Sequence, residues 1–182
     1  MPEPATNHAR SPASNSVQVA ILSGTAPIEA PNCETPLSRK ARLFAVDDHA
    51  LVRKGLQMLL NQQPDMQVCG DAVGVSTAKQ GIDEMNPDLV TVDLGLEDGD
   101  GFELITWIHR HHPRVKILVF TSNEGSASAL RALQCGAHGY VAKSDGTQEL
   151  IRAIRLVLQN QRFLSSRVAQ KEEPSRRVGG VS

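Results

Sequence analysis

Four short apolar runs in this chain each end on a residue suited to metal or phosphate chemistry. Leu43-Phe44-Ala45-Val46 leads into Asp47-Asp48, Leu89-Val90-Thr91-Val92 into Asp93, Ile117-Leu118-Val119-Phe120 into Thr121, and Gly139-Tyr140-Val141-Ala142 into Lys143. If the runs are parallel strands, three carboxylates, a hydroxyl and an ammonium gather at one edge of one sheet. Adjacent carboxylates repel and raise each other's pKa unless a cation sits between them. Mg²⁺ is such a cation, since it takes oxygen ligands and keeps several waters. Asp48 would coordinate it directly, Asp47 through water, and the backbone carbonyl of Gly95 would add a ligand. Asp93 would share the metal and attack phosphorus, a known covalent route for carboxylates. Lys143 would pair with the phosphoryl oxygens and Thr121 would donate a hydrogen bond to one of them, because phosphoryl transfer rests on positioning and charge neutralisation. Taken singly, each feature is ordinary: Asp-Asp is a common turn or cap signal, Thr a β-former, Lys a solvated charge. Their joint placement at four strand ends carries the reading.

The elements that must position these residues alternate along the chain. Strands are expected at Arg42 to Val46, about Gln67 to Ala72, Leu89 to Val92, Lys116 to Phe120 and Gly139 to Ala142. Helices are expected at about Ala50 to Gln62 with Leu51, Leu56, Leu59 and Leu60 inward, at Ser76 to Met85 with Ala78, Ile82 and Met85 inward, at Gly101 to His111, at Ser126 to Cys135, and at Thr147 to Gln161. The last has the cleanest amphipathic period, and Pro64, Pro87, Pro113 and Gly136 punctuate the others. Such alternation predicts an α/β fold, a doubly wound, flavodoxin-like five-stranded parallel sheet of order 2-1-3-4-5 with five helices. In that order the winding reverses between strands 1 and 3, where Asp47, Asp48 and Asp93 stand.

The 182-residue length leaves room for one ordinary domain plus tails. Aromatic residues make up 3% of the chain, so the core must be aliphatic, and a net charge of −1 gives no global reason to expect nucleic-acid contact. Cys33, Cys69 and Cys135 are widely spaced and read as reduced thiols of a cytoplasmic protein. No apolar stretch nears the ~20 residues of a membrane span. Residues 1–40 hold six of the ten prolines and read as a disordered tail, residues 41–161 as the domain, and residues 162–182 as a flexible C-terminal tail.

Over Arg42 to about Gln161 the sequence resembles the receiver domain of two-component response regulators. The resemblance is carried by Val46-Asp47-Asp48-His49, by Asp93 with Gly101 eight positions on, by Val119-Phe120-Thr121-Ser122 and by Gly136-Ala137-His138-Gly139-Tyr140-Val141-Ala142-Lys143. It implies Asp93 as the phosphoryl acceptor and modified residue, Asp47 and Asp48 as the acid pocket, Lys143 as the invariant-type lysine, and Thr121 and Tyr140 as the switch pair. The implied donor is a phosphohistidine on a sensor histidine kinase or phosphotransfer protein. Phosphorylation would draw in Thr121, let Tyr140 rotate inward and reshape the face of helix 4, strand 5 and helix 5, through which a homodimer is an open option.

Asp47-Asp48-His49 and Arg162-Phe163-Leu164-Ser165 place the resemblance nearest to LuxR/NarL-type regulators, whose helix-turn-helix finds no counterpart after Ser165. The leading expectation is therefore a phosphoacceptor switch, not a metabolic enzyme, signalling by protein contact without nucleic acid or membrane. The alternative is a DNA-binding transcription regulator whose output domain is missing here. Two positions depart from the family pattern: Glu97 and Ser144 stand where proline is usual, and Glu97, Asp98 and Asp100 are expected to crowd Asp93. His109, His111 and His112 read as favourable charges at a helix C-terminus, not as a metal site.

Overall fold

A computed structural model describes residues 39–170. The expected N-terminal tail, most of it, and the end of the C-terminal tail lie outside the described residues. The elements in chain order are β1 (Ala41–Val46), α1 (Ala50–Asn61), β2 (Met66–Ala72), α2 (Val75–Met85), β3 (Leu89–Val92), α3 (Gly101–His111), β4 (Lys116–Thr121), α4 (Ser126–Gln134), β5 (Gly139–Ala142), α5 (Thr147–Leu158), β6 (Phe163–Leu164) and α6 (Ser166–Gln170). A 3₁₀ turn, Lys143–Asp145, joins β5 to α5.

The sheet is parallel, with order β2-β1-β3-β4-β5-β6. Successive side chains on a strand point to opposite faces, and the strands sort accordingly. Phe44, Val46, Val90, Val92, Ile117, Val119 and Tyr140 pack on one face with Ile82, Leu104, Ile108 and Ala132 from α2, α3 and α4. Leu43, Ala45, Leu89, Leu118 and Val141 pack on the other with Leu56, Leu60, Ile151, Ile154 and Val157 from α1 and α5. Burial on both faces explains why the strands read as continuous apolar runs.

Local chemistry sets the helix ends. Asp100 caps α3 by accepting from the Phe102 amide at 2.9 Å, and His109, Arg110 and His111 close its last turn. Asn86 ends α2 in the left-handed conformation at φ 46°.

Three expectations need correction. Leu51 is 86% exposed and Met85 37% exposed, so neither is a core residue of its helix. The sheet has a sixth strand and the fold a sixth helix. The segment after Arg162 is accordingly no tail up to Val168: the Phe163 amide donates to His138 O at 3.2 Å, the Ser165 amide to Tyr140 O at 3.0 Å, and Val168 is fully buried. A two-residue strand is too short to show a period, but it pairs the exposed edge of β5 and so satisfies that edge's backbone groups.

Candidate functional site

The strand register brings the four apolar runs to one edge. Val46 pairs with Val92, Val92 with Val119, and Thr121 with Ala142, so Asp47 and Asp93 are level and Thr121 and Lys143 follow along the same edge. The Asp93 amide donates to Val46 O at 2.9 Å and the Asp47 amide to Ala72 O at 3.1 Å, which fixes both carboxylates at the crevice where the winding reverses.

Lys143 ties the edge together. Its Nζ lies 2.6 Å from Asp93 Oδ2 and 2.7 Å from Asp47 Oδ2. Asp47, Asp93 and Thr121 are buried at 1%, 4% and 2% exposure, so the ammonium neutralises charge that water does not reach. Burial alone pushes the Asp93 carboxyl up. Hydrogen bonds from Lys143 and Thr121, the Lys143 charge and the Gly95 amide more than offset it and hold the carboxyl below its ordinary value. Burial likewise pushes Lys143 down, but its bonds to Asp47 and Asp93 leave it above the ordinary lysine value. At neutral pH the pair is therefore ionised.

The remaining oxygens of the acid group face a common space. Asp47, Asp48, His49 and Asp93 each offer one ligand atom, all within 4.8 Å of one another. Asp47 Oδ1 accepts from the His49 amide at 2.9 Å, and Asp93 Oδ1 from the Gly95 amide at 3.3 Å. The His49 ring meets Asp48 Oδ1 at 2.5 Å. A donor set of carboxylate oxygens suits a hard divalent cation, and Asp47, Asp48 and Asp93 are placed to hold one.

Every strand-end residue picked out in the sequence thus reaches the same edge, with Gly95 in the loop beside Asp93. Gly101 approaches from behind: a Cβ there would lie 2.6 Å from Asp93 O and 2.8 Å from Leu94 Cα. The glycine eight residues after Asp93 therefore lets the start of α3 pack on the acceptor's own backbone.

Other expectations are revised. Tyr140 is fully buried already, its hydroxyl donating to Asn123 O at 2.7 Å, so inward rotation has no outward starting point here. Burial and the Asp93 charge push this phenol up to about 12. Asp98 and Asp100 do not crowd Asp93: Asp98 Oδ1 accepts from the Val75 amide at 2.9 Å, and Asp100 caps α3 and pairs with Arg131 at 3.3 Å. The three histidines diverge. His111 bonds Trp107 O and stacks on the Trp107 ring, His112 meets Asp83 at 2.8 Å, and His109 packs against Gly136.

Two residues escaped the sequence reading. His49 stands in the motif that carries the resemblance, but its place in the ligand group was not read from it. Arg53 Nη1 donates to Asp47 O at 2.7 Å and to Asp48 O at 3.1 Å, while its Nε donates to Asp71 Oδ2 at 2.8 Å.

The model of the response regulator receiver domain matches residues 43–155. The chain belongs to this family. Among similar proteins, the response regulator GacA of Pseudomonas viridiflava is 36% identical over 130 residues, covering 71% of this chain and 61% of that protein. The DNA-binding transcriptional activator DevR/DosR of Mycobacterium tuberculosis is 36% identical over 128 residues, covering 70% of this chain and 59% of that protein. The receiver chain thus spans about three fifths of the length of these relatives. Among solved structures, a LuxR-family two-component response regulator from Aurantimonas sp. SI85-9A1 is similar with a TM-score of 0.70 and 38% identity, covering 72% of this chain and 94% of that one. The isolated receiver domain of RcsB from Salmonella enterica, in the presence of phosphomimetic BeF₃⁻, gives 0.68 and 25%, covering 74% and 100%. These neighbours share the receiver fold and place the chain beside LuxR/NarL-type regulators. Among the described residues, no helix is long and apolar enough to cross a membrane.

Proposed function

We propose that this receiver accepts a phosphoryl group from a sensor histidine kinase or phosphotransfer protein onto Asp93. The observation that carries the reading is the Lys143 ammonium 2.6 Å from a buried Asp93 carboxylate, beside Asp47 and Asp48. In this reading Asp93 Oδ1 attacks phosphorus, and the phosphohistidine nitrogen leaves with the electrons of the broken P–N bond. Mg²⁺, when bound by Asp48, Asp93, the Gly95 carbonyl and, through water, Asp47, supplies positive charge to the transferring group. Lys143 keeps one oxygen of Asp93 paired and turns to the incoming phosphoryl oxygens. Thr121, two residues beyond β4's pairing with β3, donates its hydroxyl to another. The signal leaves through the face of α4, β5 and α5, where Tyr140 bonds the loop after β4 by way of Asn123. The chain acts as a switch, with self-phosphorylation and dephosphorylation as its only chemistry.

The test is intact mass after incubation with Mg²⁺ and a small phosphodonor such as acetyl phosphate. We expect one added phosphoryl group, labile to hydroxylamine and absent from Asp93→Asn. A folded protein that gains no adduct from any small donor or kinase would overturn the reading. A second reading, that this chain is the receiver part of a DNA-binding transcription regulator, is favoured by its covering 59% of a relative named a DNA-binding activator. The reading frame beyond Ser182 distinguishes the two.

A further inference from the structure

The β1–α1 loop carries both Asp47 and Asp48, and α1 begins immediately after it. The start of that helix breaks the usual rules. His49 makes no side-chain cap, and the first turn has no acidic residue. Instead Arg53 places a cation near the positive end of the helix dipole, where it is unfavourable. Its side chain is only 14% exposed, so it cannot relax into solvent. What it gains is three charge-assisted hydrogen bonds. Nη1 reaches the carbonyls of Asp47 and Asp48 at 2.7 and 3.1 Å, and Nε reaches Asp71 Oδ2 at 2.8 Å. Asp71 is in turn held in place by the sheet, since it pairs with Ala45, two residues before the acid pair.

The choice of acceptor atoms matters. Arg53 takes the backbone carbonyls of the acid pair and none of their carboxylate oxygens. A cation bonded to the carboxylates themselves would compete with a metal. One bonded to their carbonyls orients the side chains and lowers the repulsion between them without occupying a ligand position. The guanidinium suits this role because its rigid fork serves several acceptors at once.

We infer that Arg53 is a positioning residue for the divalent cation: anchored on Asp71, it clamps the Asp47 and Asp48 backbone in the metal-binding arrangement. The inference rests on the receiver reading above, and on Arg53 touching neither metal nor phosphoryl group. Groups behind metal ligands typically change affinity by about 10–100-fold when removed. Loss of Arg53 should therefore weaken metal binding by about tenfold or more while leaving the rate at saturating metal unchanged.

The test uses the full chain and Mn²⁺ as probe, with free Mn²⁺ followed by its EPR signal, alongside acetyl phosphate labelling across a Mg²⁺ titration. Arg53→Met should bind Mn²⁺ about tenfold more weakly, and its labelling defect should vanish at saturating Mg²⁺. Arg53→Lys should recover part of the affinity, since an ammonium can serve a carbonyl but not all three acceptors. Asp71→Asn should lose less than Arg53→Met, because both carbonyl bonds remain. Should Arg53→Met prove unfolded by circular dichroism, the Lys and Asn variants carry the same ranking. Unchanged Mn²⁺ affinity with a lowered melting temperature, or a labelling defect that persists at saturating Mg²⁺, would overturn the inference. A wild-type protein that binds no Mn²⁺ and gains no adduct would instead overturn the receiver reading.

Discussion

The Lys143 ammonium is shared between Asp93 Oδ2 at 2.6 Å and Asp47 Oδ2 at 2.7 Å, a single cation bridging two buried carboxylates from neighbouring strands. Removing one partner from a buried ionic group leaves charge uncompensated, which costs about 3–5 kcal/mol. Lys143→Met should therefore lower the unfolding free energy by about 3 kcal/mol in chelator. A divalent cation held by the same acids can replace the missing charge, and binding to the folded state alone raises stability. The deficit should narrow as Mg²⁺ is added. Urea unfolding in chelator and in Mg²⁺ measures both effects; a deficit independent of Mg²⁺ would argue against a metal at these carboxylates.

The same pair defines a pH window. Asp93 is held below its ordinary value in the folded state. Its contribution is present above the unfolded carboxylate value near ~4 and is lost as pH falls through the lower, folded one. Lys143 is held above its ordinary value. Its contribution is complete below the unfolded lysine value near ~10.4 and is lost as pH rises through the higher, folded one. Asp93 and Lys143 should thus leave stability flat across neutral pH. His138 should not. Burial, with the charges of Lys116, His109 and Arg162, lowers its pKa to about 4. Its Nδ1 accepts from the Ile117 amide at 3.2 Å, a bond that protonation of that nitrogen would break. Below the unfolded value near ~6.5 the unfolded chain binds a proton that the folded chain does not, so stability falls from about pH 6.5 towards pH 4. His138→Gln should flatten that stretch of the curve. Urea midpoints at pH 7 and pH 5 for the two proteins test it, and parallel losses would remove His138 as the cause.

What could be read without coordinates follows a physical divide. The strands were legible because burial on both faces makes them uniformly apolar, and the polar residue ending each run marked the sheet edge. The alternation of strands and helices then put those ends on one sheet edge, while the register that levels Asp47 with Asp93 is set by the backbone pairing of β1 with β3. Leu51 was misjudged because a five-residue step to Leu56 turns a side chain by about 140° on a helix of 3.6 residues per turn. Val52, one step of four before Leu56, packs on the core in its place. Arg53 was invisible because two of its three acceptors are backbone carbonyls, which carry no residue identity, and the third, Asp71, lies 18 residues away on β2. Asp98 and Asp100 looked set to crowd Asp93, yet the helix starts they serve, Asp98 on α2 and Asp100 on α3, emerge only in three dimensions.

Gly101 yields a prediction of unusual sign. Glycine in mid-helix costs about 0.5–1 kcal/mol relative to alanine; Gly101 opens α3 directly after its Asp100 cap, so in open space Gly101→Ala would stabilise by less than that. Here a Cβ would meet the Asp93 carbonyl at 2.6 Å, and the obstacle is backbone that cannot rotate away. Overpacking of this kind costs about 1–3 kcal/mol. We expect net destabilisation and slower acetyl phosphate labelling, because α3 must retreat from the loop that carries Asp93. A neutral or stabilised Gly101→Ala with unchanged labelling would show that the contact does not set the acceptor's position.

The segment β6–α6 is held by two kinds of contact that mutation can separate. Val168 is fully buried and Arg167 pairs with Asp145 at 3.3 Å, while Asp145 Oδ2 accepts from the Ala142 amide at 2.9 Å. Against these stands Ser165, fully buried with its Oγ lacking a hydrogen-bond partner. An unpaired buried hydroxyl costs about 1–3 kcal/mol. Ser165→Ala should therefore hold the segment at least as firmly as the wild type, whereas Val168→Asp buries a charge without a partner and should release it. Hydrogen exchange reads the outcome at two amides, Phe163 on His138 O and Ser165 on Tyr140 O, the second still present as an alanine amide in the variant. Val168→Asp should speed exchange at both while amides in the middle of β1 and β3 stay protected; Ser165→Ala should slow it or leave it unchanged. Uniform acceleration across the sheet would mean instead that β6 and α6 unfold only with the whole domain.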